Sequence, residues 1–326
     1  MKTNTKAINW NEIEDYTDLD VWNKLTKNFW LDTKIPLSND IKSFAGLSED
    51  EKTAILKVFA GLTQLDTIQG HIGADSISEY AITPHEIAVM KQIGFMEEVH
   101  AKSYSSVFST LFGTEDIDGA FAWVENNKAT QVKKLVFDEA YDLRDCNDRR
   151  VDYYGAIIRA SSVLLESFLF YTGFYLPLHF ASQGKLTNTA DLIRLIMRDE
   201  GVHGYYLGYK FQRVMEGALP YERDAVQEKV TNLACRLFVN EIPLIEEIYE
   251  PLGLSAQVQT FLRYNLNKAM QNLGLENVFP AEVTRVEPRI LSQLSVDSEE
   301  THDFFSGSGS SYVIGQAEET TDDDWS

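Results

Sequence analysis

An all-α fold, built from long helices packed as a bundle, is what these 326 residues predict, on three observations. Between Leu47 and about Gly274 the apolar residues recur at three- and four-residue spacing, and no comparable stretch alternates with period two. Residues that start and stop helices fall at the ends of those runs. Two of the runs carry the same Glu-x-x-His pair amid apolar and aromatic neighbours.

The spacing predicts helices over residues 48–75, 84–112, 117–143, 149–181, 188–216, 221–250 and 256–273. Ser48 with Glu51 forms a capping box that opens the first. Thr83, Pro84 and Glu86 supply a cap, an N1 proline and a capping-box acid for the second. The third runs into a strongly polar stretch, Phe137 to Asp152, the connection best suited to tolerate an insertion. Gly217 with Pro220, and Gly253 with Ser255, supply the breaks between the last three helices. Beyond Glu276 the periodicity fades, and Phe305 to Tyr312 has the Gly/Ser composition of a flexible linker. These features divide the chain into a helical bundle, residues 1–290, and a flexible acidic tail, residues 291–326.

A net charge of -21 and a pI near 4.6 exclude a nucleic-acid or anionic-membrane binder, which needs clustered Lys and Arg. Nine of the acids lie between Ser295 and Ser326, a stretch with no Lys or Arg, as in a solvated or docking tail. The first residues lack an apolar signal core, and no stretch reads as a bilayer span of roughly 20 apolar residues, so a cytoplasmic protein is expected. Two cysteines, Cys146 and Cys235, form neither a disulfide framework nor a thiolate metal motif.

Glu97 and His100 stand three residues apart, so both leave one helix face about a turn apart, and Glu200 and His203 repeat the spacing on another helix. Asp66 and Glu166 are single acids flanked by apolar residues on two further helices, where a lone charge needs a partner. Hard divalent or trivalent ions want oxygen donors, with imidazole added, on a rigid scaffold. Two single acids plus two Glu-x-x-His pairs is the donor layout of di-iron and di-manganese carboxylate proteins with the ferritin-like fold. Glu299 and His302 share the spacing but sit in the polar tail without apolar flanks. His71, His85 and His179 have no acid at the matching spacing and stay outside the ligand set.

Tyr104 follows His100 by four residues and Glu97 by seven, which extends the ligand stripe by one turn and places its phenol near the metals. Phe170 and Phe174, four and eight residues after Glu166, and Ile196, four before Glu200, fall on the ligand faces and are expected to wall Tyr104 from water.

Together with the stretches Ser167 to Pro177, Lys185 to Ile196 and His302 to Gly315, these residues make the chain resemble the small subunit of class Ib ribonucleotide reductase nearly end to end. The resemblance implies a ferritin-like homodimer that uses two manganese or two iron ions to form a tyrosyl radical. That radical serves a large catalytic subunit, and a flavodoxin-like activator supports assembly of the manganese form. Carried over by position, the ligands are Asp66, Glu97, His100, Glu166, Glu200 and His203, and the radical site is Tyr104. Trp30 and Asp199 match residues linked through the His100 imidazole, and Tyr312 matches the tail tyrosine that relays the radical between subunits.

Read without the resemblance, the residues admit two rivals. A dinuclear oxidase, oxygenase or iron store would share the ligands without needing Tyr104. A helical interaction module would hold no stoichiometric metal, and its Glu200 and His203 would be accompanied by Arg194 and Arg198 pairing the acids.

Overall fold

The computed structural model describes residues 7–141 and 151–295. Helices account for the regular structure among them, and no strand forms there. Helix α1 is Tyr16–Lys27. Helix α2 runs from Glu49–Ile68 through a π turn, Gln69–Gly73, into Ala74–Glu79. Helix α3 is Pro84–Leu111, α4 is Thr114–Asn126 and α5 is Lys128–Tyr141. Helix α6 joins Val151–Leu164, a π turn at Leu165–Leu169, and Phe170–Ala181. Helices α7, Thr187–Gly217, α8, Pro220–Tyr249, and α9, Ser255–Asn272, follow, and α10 is Pro288–Ser295.

Four of these helices close a ring: α2 packs on α3, α3 on α7, α7 on α6, and α6 back on α2. Apolar stripes turned to the centre of that ring leave one continuous core, from Ile55 and Phe59 on α2 to Ile193 and Leu207 on α7. Helix α8 covers α6, and α1 covers α3 and α7. By length and composition the segment Tyr153–Ala181 could cross a membrane, contrary to the sequence expectation, but 94% of its apolar window is buried in the protein. It is the core helix of the bundle.

The capping signals are built as expected at Ser48, whose hydroxyl accepts from Glu51 N at 3.2 Å while Glu51 accepts from Ser48 N at 2.7 Å. At Thr83 the hydroxyl caps Glu86 N at 2.9 Å, but Glu86 reaches past Thr83 to accept from Ile82 N and binds the buried Arg159 at 2.7 Å.

Three features depart from the expected helices. Residues 117–143 do not form one helix, because Asn127 turns its side chain to accept from Ala129 N and Thr130 N and starts α5 anew. Helix α1 escaped the periodicity reading because one of its buried positions is charged: Asp18 lies beside Val21 and Leu25 on the inner face. Beyond the fading periodicity, α10 seats Ile290 fully in the core, and the expected tail lies, from residue 296 onward, outside the described residues.

Candidate metal centre

The ring of helices brings the six expected ligands together, each fully buried. Asp66 comes from α2, Glu97 and His100 from α3, Glu166 from the π turn of α6, and Glu200 and His203 from α7. They form two overlapping groups, Asp66, Glu97, His100 and Glu200 in one, Glu97, Glu166, Glu200 and His203 in the other. Glu97 and Glu200 belong to both.

Each of the shared acids faces both histidines. Glu97 turns Oε2 to His100 Nδ1 at 3.5 Å and Oε1 to His203 Nδ1 at 2.9 Å. Glu200 does the same, with Oε1 at 3.0 Å from His100 Nδ1 and Oε2 at 3.4 Å from His203 Nδ1. Asp66 Oδ1 completes the first half-site at 3.5 Å from His100 Nδ1, and Glu166 Oε2 the second at 3.2 Å from His203 Nδ1. Donors sharing one octahedral ion at about 2.1 Å lie about 3 Å apart, which these spacings resemble.

Hydrogen bonding does not account for the cluster. Both oxygens of Asp66, Glu97 and Glu200, and His100 Nδ1, lack a partner of hydrogen-bond geometry although all are buried. Lone pairs that converge without a proton between them fit a cation, and an oxygen-rich set with one imidazole per half suits manganese or iron. The alternative pairing with arginine does not occur: Arg194 binds Asp191 and Gln293, and Arg198 donates to Asn28 O.

Without a cation, protons must carry the balance. Burial and the charges of Glu97 and Glu200 hold Glu166 well above the carboxylate range. Burial also raises Asp66, reinforced by Glu97 and Glu200 against the opposing effect of the nearby His100 imidazole. Burial would likewise raise Glu200, but the groups of Glu166, His100 and His203 around it win and hold it low. Burial would depress both histidines; the surrounding carboxylates outweigh it and raise them well above the imidazole range.

Tyr104 is fully buried on α3, and its hydroxyl makes no hydrogen bond. Burial, then the charges of Asp66, Glu200 and Glu97, push its phenol far up, so it stays protonated. Phe170, Phe174 and Ile196 are fully buried as expected, yet the ring stacked on Tyr104 is Phe59, at 5.6 Å between centroids. Phe59 stands seven residues before Asp66 on α2, a two-turn spacing that could have found it.

On the far side of His100 lies a second connection. Trp30 Nε1 donates to Asp199 Oδ2 at 2.6 Å, and the same oxygen lies 3.3 Å from His100 Nε2. The Trp30 and His100 rings stack at 5.8 Å. Tyr312 lies outside the described residues. The excluded histidines are elsewhere: His71 pairs with Glu98 on the surface, His85 packs against Trp10, and His179 stacks on Tyr175.

Sequence reasoning also missed Gln69, which donates to Glu166, and Tyr141 and Ser162, which bond Gln69 in turn. Their contacts join residues 72 or more positions apart, where spacing carries no signal.

The family model for the ribonucleotide reductase small chain matches residues 7–288. The chain belongs to the ribonucleotide reductase small-chain family. Within that family it is 52% identical to ribonucleoside-diphosphate reductase 2 subunit beta of Escherichia coli K12, over 98% of this chain and 97% of that one. A ribonucleoside-diphosphate reductase subunit beta of Mycobacterium tuberculosis H37Rv is also 52% identical, over 98% and 96%. The crystal structure of Streptococcus sanguinis dimanganese(II)-NrdF superposes with a TM-score of 0.83 at 45% identity, covering 89% of this chain and all of that one. The ferritin-like small-chain fold and the ring of site helices are thus one architecture.

Proposed function

We propose that Tyr104 is the radical site of this small subunit and that Asp66, Glu97, His100, Glu166, Glu200 and His203 hold its metals. The chain is the beta subunit of a ribonucleoside-diphosphate reductase, with a dinuclear manganese or iron centre. It works as a dimer with the large catalytic subunit, on which ribonucleotides become deoxyribonucleotides. The observation that carries the site reading is that Glu97 and Glu200 each face both histidines, with Tyr104 following on the same stripe of α3.

The two ions, when bound, supply the oxidising equivalent. The chain supplies the rest. Glu97 and Glu200 hold the two half-sites in fixed relation, while His100 and His203 must be neutral to ligate. Tyr104 would give up one electron to that oxidising equivalent and its phenolic proton to the neighbouring carboxylates, of which Asp66 acts on it most strongly. Phe59 stacked on its ring and full burial in the bundle shield the resulting radical from external reductants. Phe170, Phe174 and Ile196 extend that apolar wall. Trp30, Asp199 and His100 form the route by which the oxidising equivalent leaves for the partner, with Tyr312 as the relay in a docking tail at 291–326 appended to the bundle at 1–290. A flavodoxin-like activator serves the manganese form, and the assembly acts in the cytoplasm.

The test is electron paramagnetic resonance after anaerobic Fe(II) loading and oxygen exposure, with Tyr104→Phe alongside. A tyrosyl signal in the wild type that is missing from the variant is expected. A signal that persists in the variant moves the radical to another residue, and two bound irons per chain with an equal capacity to turn over in the variant would favour a dinuclear oxidase.

A further inference from the structure

We propose that Gln69 sets the orientation of Glu166 in the half-site it shares with His203, and that Tyr141 and Ser162 hold Gln69 in that task. The inference rests on the metal-centre reading above. Among the four clustered carboxylates Glu166 alone is held by a side-chain amide: Gln69 Nε2 donates to Glu166 Oε1 at 2.6 Å, whereas Asp66, Glu97 and Glu200 have no hydrogen-bond partner on either oxygen. With Oε1 engaged, Glu166 is left to present Oε2 to His203.

The amide itself cannot turn over without loss. Tyr141 donates its hydroxyl to Gln69 Oε1 at 2.9 Å, and Gln69 Nε2 also meets Ser162 Oγ. A donor on the carbonyl side and acceptors on the nitrogen side fix which end of the amide faces Glu166. Burial, the largest influence on the Tyr141 phenol, keeps it protonated and therefore a donor.

The backbone is shaped to the same end. Gln69 opens the π turn Gln69–Gly73 of α2, and Glu166 lies in the π turn Leu165–Leu169 of α6. Such turns are rare and gather at functional sites; here two of them are joined by the Gln69–Glu166 hydrogen bond. Gly73 closes the first. A Cβ there would lie 2.2 Å from Gln69 Oε1 and 3.2 Å from the Tyr141 ring, so a side chain at 73 would evict the amide from its seat.

Gln69 is thus a positioning residue, acting on a metal through Glu166. The experiment loads full-length wild type, Gln69→Met and Tyr141→Phe with graded Mn(II). Manganese anomalous diffraction reads the occupancy of each half-site, and Mn(II) resonance in solution reads the total bound. Partners behind a ligand are commonly worth about 10–100-fold in metal affinity. Gln69→Met is expected to weaken the Glu166/His203 position by about that factor and leave the Asp66/His100 position within about twofold, with Glu166 swung from its wild-type orientation. Tyr141→Phe, which preserves the packing, is expected to shift the same position by less. Equal occupancy at both positions in both variants overturns the inference, as does an equal loss at both, which would signify a general folding defect. A wild type that takes up no manganese would overturn the metal-centre reading itself.

Discussion

Trp30 and His100 meet at a single oxygen atom. Asp199 Oδ2 accepts the indole N–H at 2.6 Å and lies 3.3 Å from His100 Nε2, on the side of the imidazole opposite the clustered carboxylates. Asp199 is itself buried, and the Arg198 guanidinium lies 3.6 Å from its other oxygen, Oδ1, so a cation and the indole N–H share in stabilising it.

Replacing Asp199 by Asn, which keeps the shape, should leave two metals bound per chain by elemental analysis. Turnover with the large subunit should fall by about 10–100-fold, the range usual for a partner that orients a ligating imidazole. Trp30→Phe should act in the same direction. Turnover near the wild-type rate in both variants would remove this connection from the radical route.

Tyr104→Phe deletes a hydroxyl that has no hydrogen-bond partner, so nothing is orphaned by its loss. The metal-free variant should therefore unfold within about 1 kcal/mol of wild type in urea, on the stable side if anything. Its radical signal should be absent. A large drop in stability would mean that the hydroxyl is hydrogen-bonded, against the arrangement described above.

In the metal-free chain both His100 and His203 are raised well above the imidazole range, against the effect of burial, by the acids around them. They must lose protons to ligate, so loading at neutral pH should release protons and apparent affinity should weaken as pH falls. Isothermal calorimetry in buffers of different ionisation heat reads the release directly. A heat independent of buffer would contradict it.

Lys210, 1% exposed, is buried between Asp15 at 2.8 Å and Asp18 at 2.6 Å, and Tyr206 and Thr83 donate to Asp18 as well. Lys210→Met strands the Asp18 charge and should cost about 3–5 kcal/mol by urea unfolding. Asp15 gives the pH dependence. Burial alone would raise it, but Lys210 and Thr17 hold it below the usual carboxylate range. A depressed folded value adds stability above the unfolded value, near 3.9, and loses it as pH falls through the folded one. Wild type should therefore exceed Asp15→Asn by about 1 kcal/mol at pH 6, a margin that closes as pH falls through the depressed folded value. A margin unchanged at low pH would refute the assignment.

The six side chains that cluster in the core were legible because each signal is local: a three-residue spacing for two pairs, apolar flanks for Asp66 and Glu166. Helix ends with strong caps, at Ser48 and Thr83, were legible for the same reason. What escaped was set across helices or hidden by charge. Helix α1 buries Asp18 among its inner residues, which dilutes its apolar stripe, and Asn127 falls inside the single helix expected over 117–143, where its capping bonds carry no periodic signal. Gln69 reaches Glu166 only because its helix departs from α geometry at that point, a departure no periodicity announces.

The π turn in α2 also divides that helix into two phases. One added residue advances the helix by roughly 100° about its axis, so the part before Gln69 and the part after Gly73 present different stripes than an unbroken helix would. Asp66 and Phe59 are aimed at the ring's centre by the first phase, and Ala74 and Ile77 are buried in the second. Straightening this turn at constant length would rotate everything beyond it by about that angle, whereas deleting one residue would keep the far stripe in register and remove the seat from which Gln69 reaches Glu166.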